Sequence, residues 1–264
     1  MNADYQEELS VTLVQTSLFW EEPLRNYHLL SEKLARAATP TDLIILPEMF
    51  STGFSMNALM LAETADGYGL KWMQAEAKKH QAAISGSLIV QENKNYYNRL
   101  YFVFPNGSYQ TYDKRHTFTF ANEDEVYTAG TQLLSVTYKG WKIRPLICYD
   151  LRFPVWSRND DNYDLVFYIA SWPKIRMLAW DTLLRARAIE NMAYCIGVNR
   201  TGIDGNGNEY VGHSAVYDSV GKLVSNEDFE KDFVETTVLS KKDIGSNRKR
   251  FQFLEDKDDF KIIL

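Results

Sequence analysis

DLIILPEMF, spanning Asp42–Phe50, is the stretch on which the reading of the fold turns. Leu43–Leu46 is an unbroken apolar run, short enough for a strand and apolar enough to be buried on both faces. Pro47 has no N–H to give to a ladder, so the strand stops there. Glu48 is thereby delivered just beyond the end of a buried strand. On the N-terminal side, LSVTLVQTSL (Leu9–Leu18) reads as a β-branched strand. Glu22–Ala38 follows, with Leu24, Tyr27, Leu30, Leu34 and Ala38 at helical spacing. On the C-terminal side, Gly67–His80 reads as a helix and Ala82–Val90 as another strand.

The same alternation continues through the chain. Asn98–Phe104 and Ser108–Tyr112 flank Pro105-Asn106-Gly107 and predict a hairpin. Ile143–Tyr149 and Asp164–Ala170 are apolar strands, and Trp180–Ala193 has the composition of a long helix. Ala193–Val198, Ser214–Tyr217 and Leu223–Val224 are the last strands, with turns at Asp204–Gly207 and Ser219–Gly221. The charged tail from Lys241 is expected to cap the surface. Strands outnumber helices while long helices recur, so helices must cover sheet faces. An α/β core of two sheets flanked by helices suits this count better than one parallel sheet. No linker, repeat or low-complexity stretch divides residues 1–264, which predicts a single domain.

Composition narrows the functional classes. The 264 residues carry 29 basic and 35 acidic side chains, a formal charge of −6. No basic block appears, so nucleic acid is a poor partner. The polar, acidic start MNADYQEELS lacks a signal or transit pattern. No apolar run approaches the roughly 20 residues of a membrane-spanning helix. The two cysteines, Cys148 and Cys195, suit a reduced, cytoplasmic protein. With four scattered histidines they do not make a zinc framework. Asp204-Gly205-Asn206-Gly207 lacks the order of a phosphate loop.

Three strand ends carry chemically different groups: Glu48, Cys148 after Ile143–Ile147, and Lys114 after the hairpin strand. Ligands collect beyond strand ends, where such groups converge. A thiol is intrinsically nucleophilic, and a desolvated carboxylate gains the basicity to take its proton. An ammonium, together with the backbone N–H of Tyr149, would stabilise a tetrahedral oxyanion. These parts describe acyl transfer from an amide through a thioester.

PEMF around Glu48, YDKRH around Lys114 and LICYDLRFP around Cys148 resemble the carbon–nitrogen hydrolases of the nitrilase superfamily. RARAIENMAY (Arg185–Tyr194) and GHSAVYDSVG (Gly212–Gly221) fit the same family in the same order. The resemblance runs from about Leu9 to Leu239. WSRN (Trp156–Asn159) and SWP (Ser171–Pro173) bring it nearest to the bacterial ω-amidase branch. The resemblance implies a four-layer α-β-β-α sandwich, usually paired as a homodimer through its helices. It also implies a Glu–Lys–Cys triad, here Glu48, Lys114 and Cys148, with neither metal nor organic cofactor. A second glutamate is implied before Gly130; Glu123 is the choice, with Glu125 left open.

The substrate implied is a short dicarboxylic acid monoamide such as 2-oxoglutaramate or 2-oxosuccinamate. The alternative is another small carboxamide or an N-carbamoyl amine cleaved by the same triad. Bidentate capture by arginine suits such a carboxylate. Arg176, after Ser171-Trp172-Pro173, is the first candidate with Trp172 beside it, and Arg200 and His116 come next. Other residues have plainer expectations: Cys195 in the core, His116 supporting a loop, Glu190 and Asn191 anchoring a helix or pairing with arginines. Asp150 and Arg152 are expected to pair and shape the turn after Cys148. Six Trp and sixteen Tyr offer aromatic surface for the homodimer contact.

Overall fold

The apolar runs pair into two main sheets. In the computed structural model, residues 5–36, 39–226 and 230–263 are described. The larger sheet orders its strands Phe233–Ser240, Glu8–Gln15, Leu43–Ile45, Ala83–Glu92, Asn95–Val103 and Tyr109–Asp113. Glu63–Thr64 adds a short rung on Ala83–Glu92. The smaller sheet runs Ala215–Tyr217, Tyr194–Asn199, Leu165–Ala170, Trp141–Ile147 and Val136–Tyr138. Each is parallel at its centre and antiparallel at its edges. A two-stranded ribbon, Thr201–Ile203 with Glu209–Val211, stands apart.

Side-chain alternation along the strands assigns the layers. Leu9, Val11 and Leu13 point from the larger sheet into the main core, where they meet Ile143, Ile147 and Leu165 of the smaller one. Val14, Ile44 and Leu46 face the other way, against helices Pro23–Arg36 and Tyr68–His80 through Tyr27, Leu30, Leu34, Leu70 and Met73. On the outer face of the smaller sheet, Trp180, Leu184 and Ala188 of helix Met177–Asn191 join the main cluster. The result is the expected α-β-β-α sandwich. The parallel strands bring their C-terminal ends to one rim, where Glu48, Cys148 and Ser171 follow.

Several boundaries differ from expectation. The strand read as Ile143–Tyr149 stops at Ile147, because Cys148 turns to φ +45°. The helix expected from Glu22 starts at Pro23, and Ala38 lies outside the described residues. Leu223 makes only a bridge to Tyr217. Phe233–Ser240, unread as a strand, pairs along the whole of Glu8–Gln15. Its half-exposed FVETTVLS pattern is that of an edge, with little apolar alternation to show it. The tail from Lys241 begins as a helix, Lys241–Phe251, with the Ser240 hydroxyl accepting from the Asp243 N–H. It does cap the surface: Arg248 donates to the carbonyls of Met192 and Tyr163. Of the aromatics expected at the surface, Trp72, Trp141, Trp156, Trp172 and Trp180 are buried, whereas Tyr5, Tyr68 and Tyr109 are exposed.

Candidate active site

Cys148 sits on a sharp turn between strand Trp141–Ile147 and the helical turn Cys148–Arg152. A left-handed backbone costs a non-glycine residue roughly 1–2 kcal/mol, so the surroundings must hold it. Asp150 does so. One of its oxygens accepts from the Ile147 N–H at 3.0 Å and the Tyr112 hydroxyl at 2.8 Å. The other accepts from the backbone N–H and Nδ1 of His116 at 3.0 and 2.8 Å. Tyr112 in turn accepts from the Trp156 indole at 2.9 Å, and His116 stacks on Phe153 at 3.7 Å. The expected Asp150–Arg152 pair does not form. Asp150 points inward to these donors, while the Arg152 guanidinium lies 5.0 Å above the Trp172 ring.

Glu48 is fully buried and spans the two sheets. Its Oε1 accepts from Lys114 Nζ at 2.9 Å and Asn98 Nδ2 at 2.8 Å. Its Oε2 accepts from the Ser171 N–H at 2.8 Å, at the end of the strand beside that of Cys148. Lys114 is equally buried and also donates to both oxygens of Glu123, at 3.0 and 2.8 Å. Glu123 further accepts from the Phe118 N–H at 2.6 Å. Glu125 is exposed, so Glu123 is the glutamate that reaches the lysine. Gly130 is required nearby, because its N–H bonds the Lys114 carbonyl and a Cβ there would lie 2.1 Å from the Asp113 carbonyl oxygen.

These contacts set the charge states. Burial alone would lower the Lys114 ammonium, but Glu123 and then Glu48 outweigh it and raise it above the usual lysine range. Lys114 therefore stays cationic and cannot act as a base. Burial pushes the Glu123 carboxyl up against the opposing pull of Lys114. Burial, followed by the charge of Glu48, pushes the Cys148 thiol well up, with Lys114 pulling the other way. The Cys148 sulfur therefore favours its protonated form, with the Glu48 side chain alongside. Glu48 acts on that thiol both through its charge and through a side-chain hydrogen bond.

Cys148 and Tyr149 open onto a cavity of about 280 Å³. Its walls include Phe54, Phe118, Phe120, Trp172 and Tyr210, with Arg152 and Arg176 among them. Arg176 precedes helix Met177–Asn191 and holds its guanidinium 4.8 Å from the Phe118 ring. Trp172 donates its indole N–H to the Arg176 carbonyl at 2.9 Å. Arg200 is fully buried beneath Tyr210, 4.8 Å from its ring, and His116 is held by Asp150; neither lines the cavity. The ribbon loop Asp204–Asn208 closes one side, with Asp204 accepting from Asn206 N, Asn208 N, Asn208 Nδ2 and the Tyr210 hydroxyl.

The remaining expectations are met or sharpened. Cys195 is wholly buried within its strand. Glu190 pairs with Arg187 at 2.9 Å, and Asn191 binds Asn159 N at 2.8 Å, so both anchor their helix. Sequence reasoning gave Asn98 and Tyr112 no part in the site and Ser171 only a place in a motif. They act on the site through hydrogen bonds, for which only their nearness to strand ends gives a signal.

The profile of the carbon–nitrogen hydrolases matches residues 10–249. The chain is 41% identical to omega-amidase YafV of Escherichia coli (strain K12) over 96% of its own length and 98% of that protein. It is 30% identical to 2-oxoglutaramate amidase of Bacillus subtilis (strain 168), covering 87% of this chain and 90% of the relative. Among solved structures, a CN-hydrolase superfamily protein from Xanthomonas campestris with an arsenic adduct in its active site superposes with a TM-score of 0.94. It is 42% identical, and the match covers 97% of this chain and 100% of that one. With the profile spanning nearly the whole sandwich, the chain belongs to the carbon–nitrogen hydrolase family.

Proposed function

We propose that this chain is an ω-amidase, splitting the amide of a short dicarboxylic acid monoamide such as 2-oxoglutaramate or 2-oxosuccinamate. The relatives named omega-amidase and 2-oxoglutaramate amidase support that substrate class. The observation that carries it is one cavity with Cys148 among its walls and Arg176 lining it as well. At about 280 Å³ it is smaller than the roughly 300–1,000 Å³ of pockets for drug-sized ligands, which suits a compact acid. A substrate entering carboxylate-first brings Cys148 the end that holds no amide. Turned round, its carboxylate meets Arg176 and its amide meets Cys148.

In this reading, Glu48 takes the Cys148 proton as sulfur attacks the amide carbon. The Lys114 ammonium and the Tyr149 N–H hold the resulting oxyanion. Glu48 returns the proton to nitrogen, ammonia leaves, and a thioester remains. Water, deprotonated by Glu48, then releases the acid and restores the thiol. Glu123 keeps Lys114 charged and oriented without touching substrate. Trp172 supports Arg176 from below through the indole hydrogen bond. The enzyme is further expected to be a single-domain, cytoplasmic homodimer of about 61 kDa, twice the 30.5 kDa chain. Sedimentation at micromolar concentration tests the dimer. The substrate test is ammonia release from 2-oxo acid amides, uncharged short amides, N-carbamoyl amines and nitriles. Highest kcat/KM on 2-oxo acid amides is expected. Preference for an N-carbamoyl amine or a nitrile would overturn the reading.

A further inference from the structure

We propose that Arg152 is a second reader of the substrate carboxylate, forming with Arg176 a two-guanidinium clamp organised by the indole of Trp172. The proposal rests on the ω-amidase reading and adds to it the residue that fixes where the charged end lies. Arg152 belongs to the same helical turn as Cys148, so its backbone is held at a set distance from the nucleophile by the Asp150 network. Its side chain turns outward into the cavity that Cys148 also lines.

Three of the four buried arginines among the described residues meet carboxylates, the fourth, Arg200, lying over Tyr210. Arg99 meets Asp113 and Glu92, Arg144 meets Asp160 and Asp161, and Arg187 meets Glu190. At the cavity wall, the exposed Arg152 and the half-buried Arg176 have no such partner among the described residues. Both lie against aromatic faces instead, Arg152 over Trp172 at 5.0 Å and Arg176 over Phe118 at 4.8 Å. A ring face steadies a guanidinium while leaving its N–H fork free for an oxygen ligand. Burial lowers the Arg176 guanidinium below its usual range, and the like charge of Arg152 adds to that effect. An anion between them offsets that repulsion.

Trp172 joins the two cations. Its ring carries Arg152, its indole N–H bonds the Arg176 carbonyl at 2.9 Å, and its own backbone N–H is fixed by Asn199 Oδ1 at 2.8 Å. Packing on Trp180 at 5.4 Å locks it from behind. The acidic side chain in the wall, Asp204, already accepts four hydrogen bonds within its own loop and ribbon.

The test compares Arg152→Ala, Arg152→Lys and the Arg152→Ala/Arg176→Ala double variant on succinamate, 2-oxoglutaramate and uncharged butanamide. With Arg152→Ala, KM for the two charged amides should rise about 10- to 100-fold, the effect of losing a hydrogen bond to a charged group. Their kcat should change much less, and butanamide kcat/KM should stay within a few-fold. Arg152→Lys should recover part of the loss, keeping charge without the fork. The double variant should lose less than the product of the single losses, because both side chains hold one group. Equal losses on charged and uncharged amides would show that Arg152 only supports the nucleophile turn and would overturn the clamp. Unchanged KM for the charged amides would overturn it too. Wild-type enzyme that prefers butanamide to succinamate would instead remove the ω-amidase reading, and the clamp with it.

Discussion

Cys148 and Cys195 lie in or at the end of strands of the same sheet, and both are buried thiols pushed upward chiefly by burial. Their differences lie in what surrounds them. Cys195 is extended within a strand, paired opposite Val166 and Tyr217, and shut into the apolar core. Cys148 is bent out of its strand at φ +45°, faces a cavity, and feels two carboxylates and an ammonium. Burial alone makes a thiol inert. In the proposed reaction, a fixed base, a fixed cation and an opening for substrate are what give Cys148 its chemistry.

The comparison breaks most visibly in turnover. Cys148→Ala should lose on the order of 10³-fold or more in amide hydrolysis, while Cys195→Ala stays within several-fold. Steady-state ammonia release from the two variants checks this, and a dead Cys195 variant would reverse the assignment. The next effect is in the charged groups that Cys195 lacks. Glu48→Gln should cut acylation by roughly 10²-fold or more with folding retained, since no base remains in place. Lys114→Ala should lower kcat more than it raises KM, as fits a group acting on transition-state charge. Unchanged kcat would leave the oxyanion to backbone donors alone.

A smaller effect concerns ionisation at rest. At about pH 8 an ordinary thiol of pKa about 8.5 is partly ionised. Neither cysteine should contribute thiolate absorbance there, because both are raised in the folded state. A thiolate band in wild type that vanishes in Cys148→Ala would mean a preformed ion pair with Lys114. The smallest effect is on stability. A raised thiol keeps its proton in the folded state, so its contribution is fully present below the unfolded pKa of about 8.5 and is lost as pH rises beyond it. The loss is about 1.4 kcal/mol per pH unit for each thiol. Denaturant melts at increasing alkaline pH should therefore show a shallower decline in Cys195→Ala than in wild type. Identical slopes would mean that Cys195 is not protonated more tightly when folded.

The meeting of Glu48, Lys114 and Cys148 was legible because each follows a strand end in a local motif, and strand ends of one sandwich share a rim. The choice of Glu123 over Glu125 was open in the sequence. It depends on which side of the short helix Glu123–Val126 faces Lys114, and two residues apart is a different side. Arg152 was misread for a related reason. Opposite charges two positions apart suggest a pair, yet in a tight turn Asp150 points inward and Arg152 outward. The edge strand Phe233–Ser240 and the helix after it were hidden by their polarity. Ser240-Lys241-Lys242-Asp243 does carry the spacing of a helix start, a signal that the charged composition obscured.

The most direct test of the central claim is rapid-quench mass analysis of the enzyme mixed with 2-oxoglutaramate, followed by peptide mapping. An acyl group on Cys148, appearing with a burst of one ammonia per active site and absent from Cys148→Ala, is the predicted result. Acylation at Cys195, or full ammonia release by Cys148→Ala with no adduct, would contradict it.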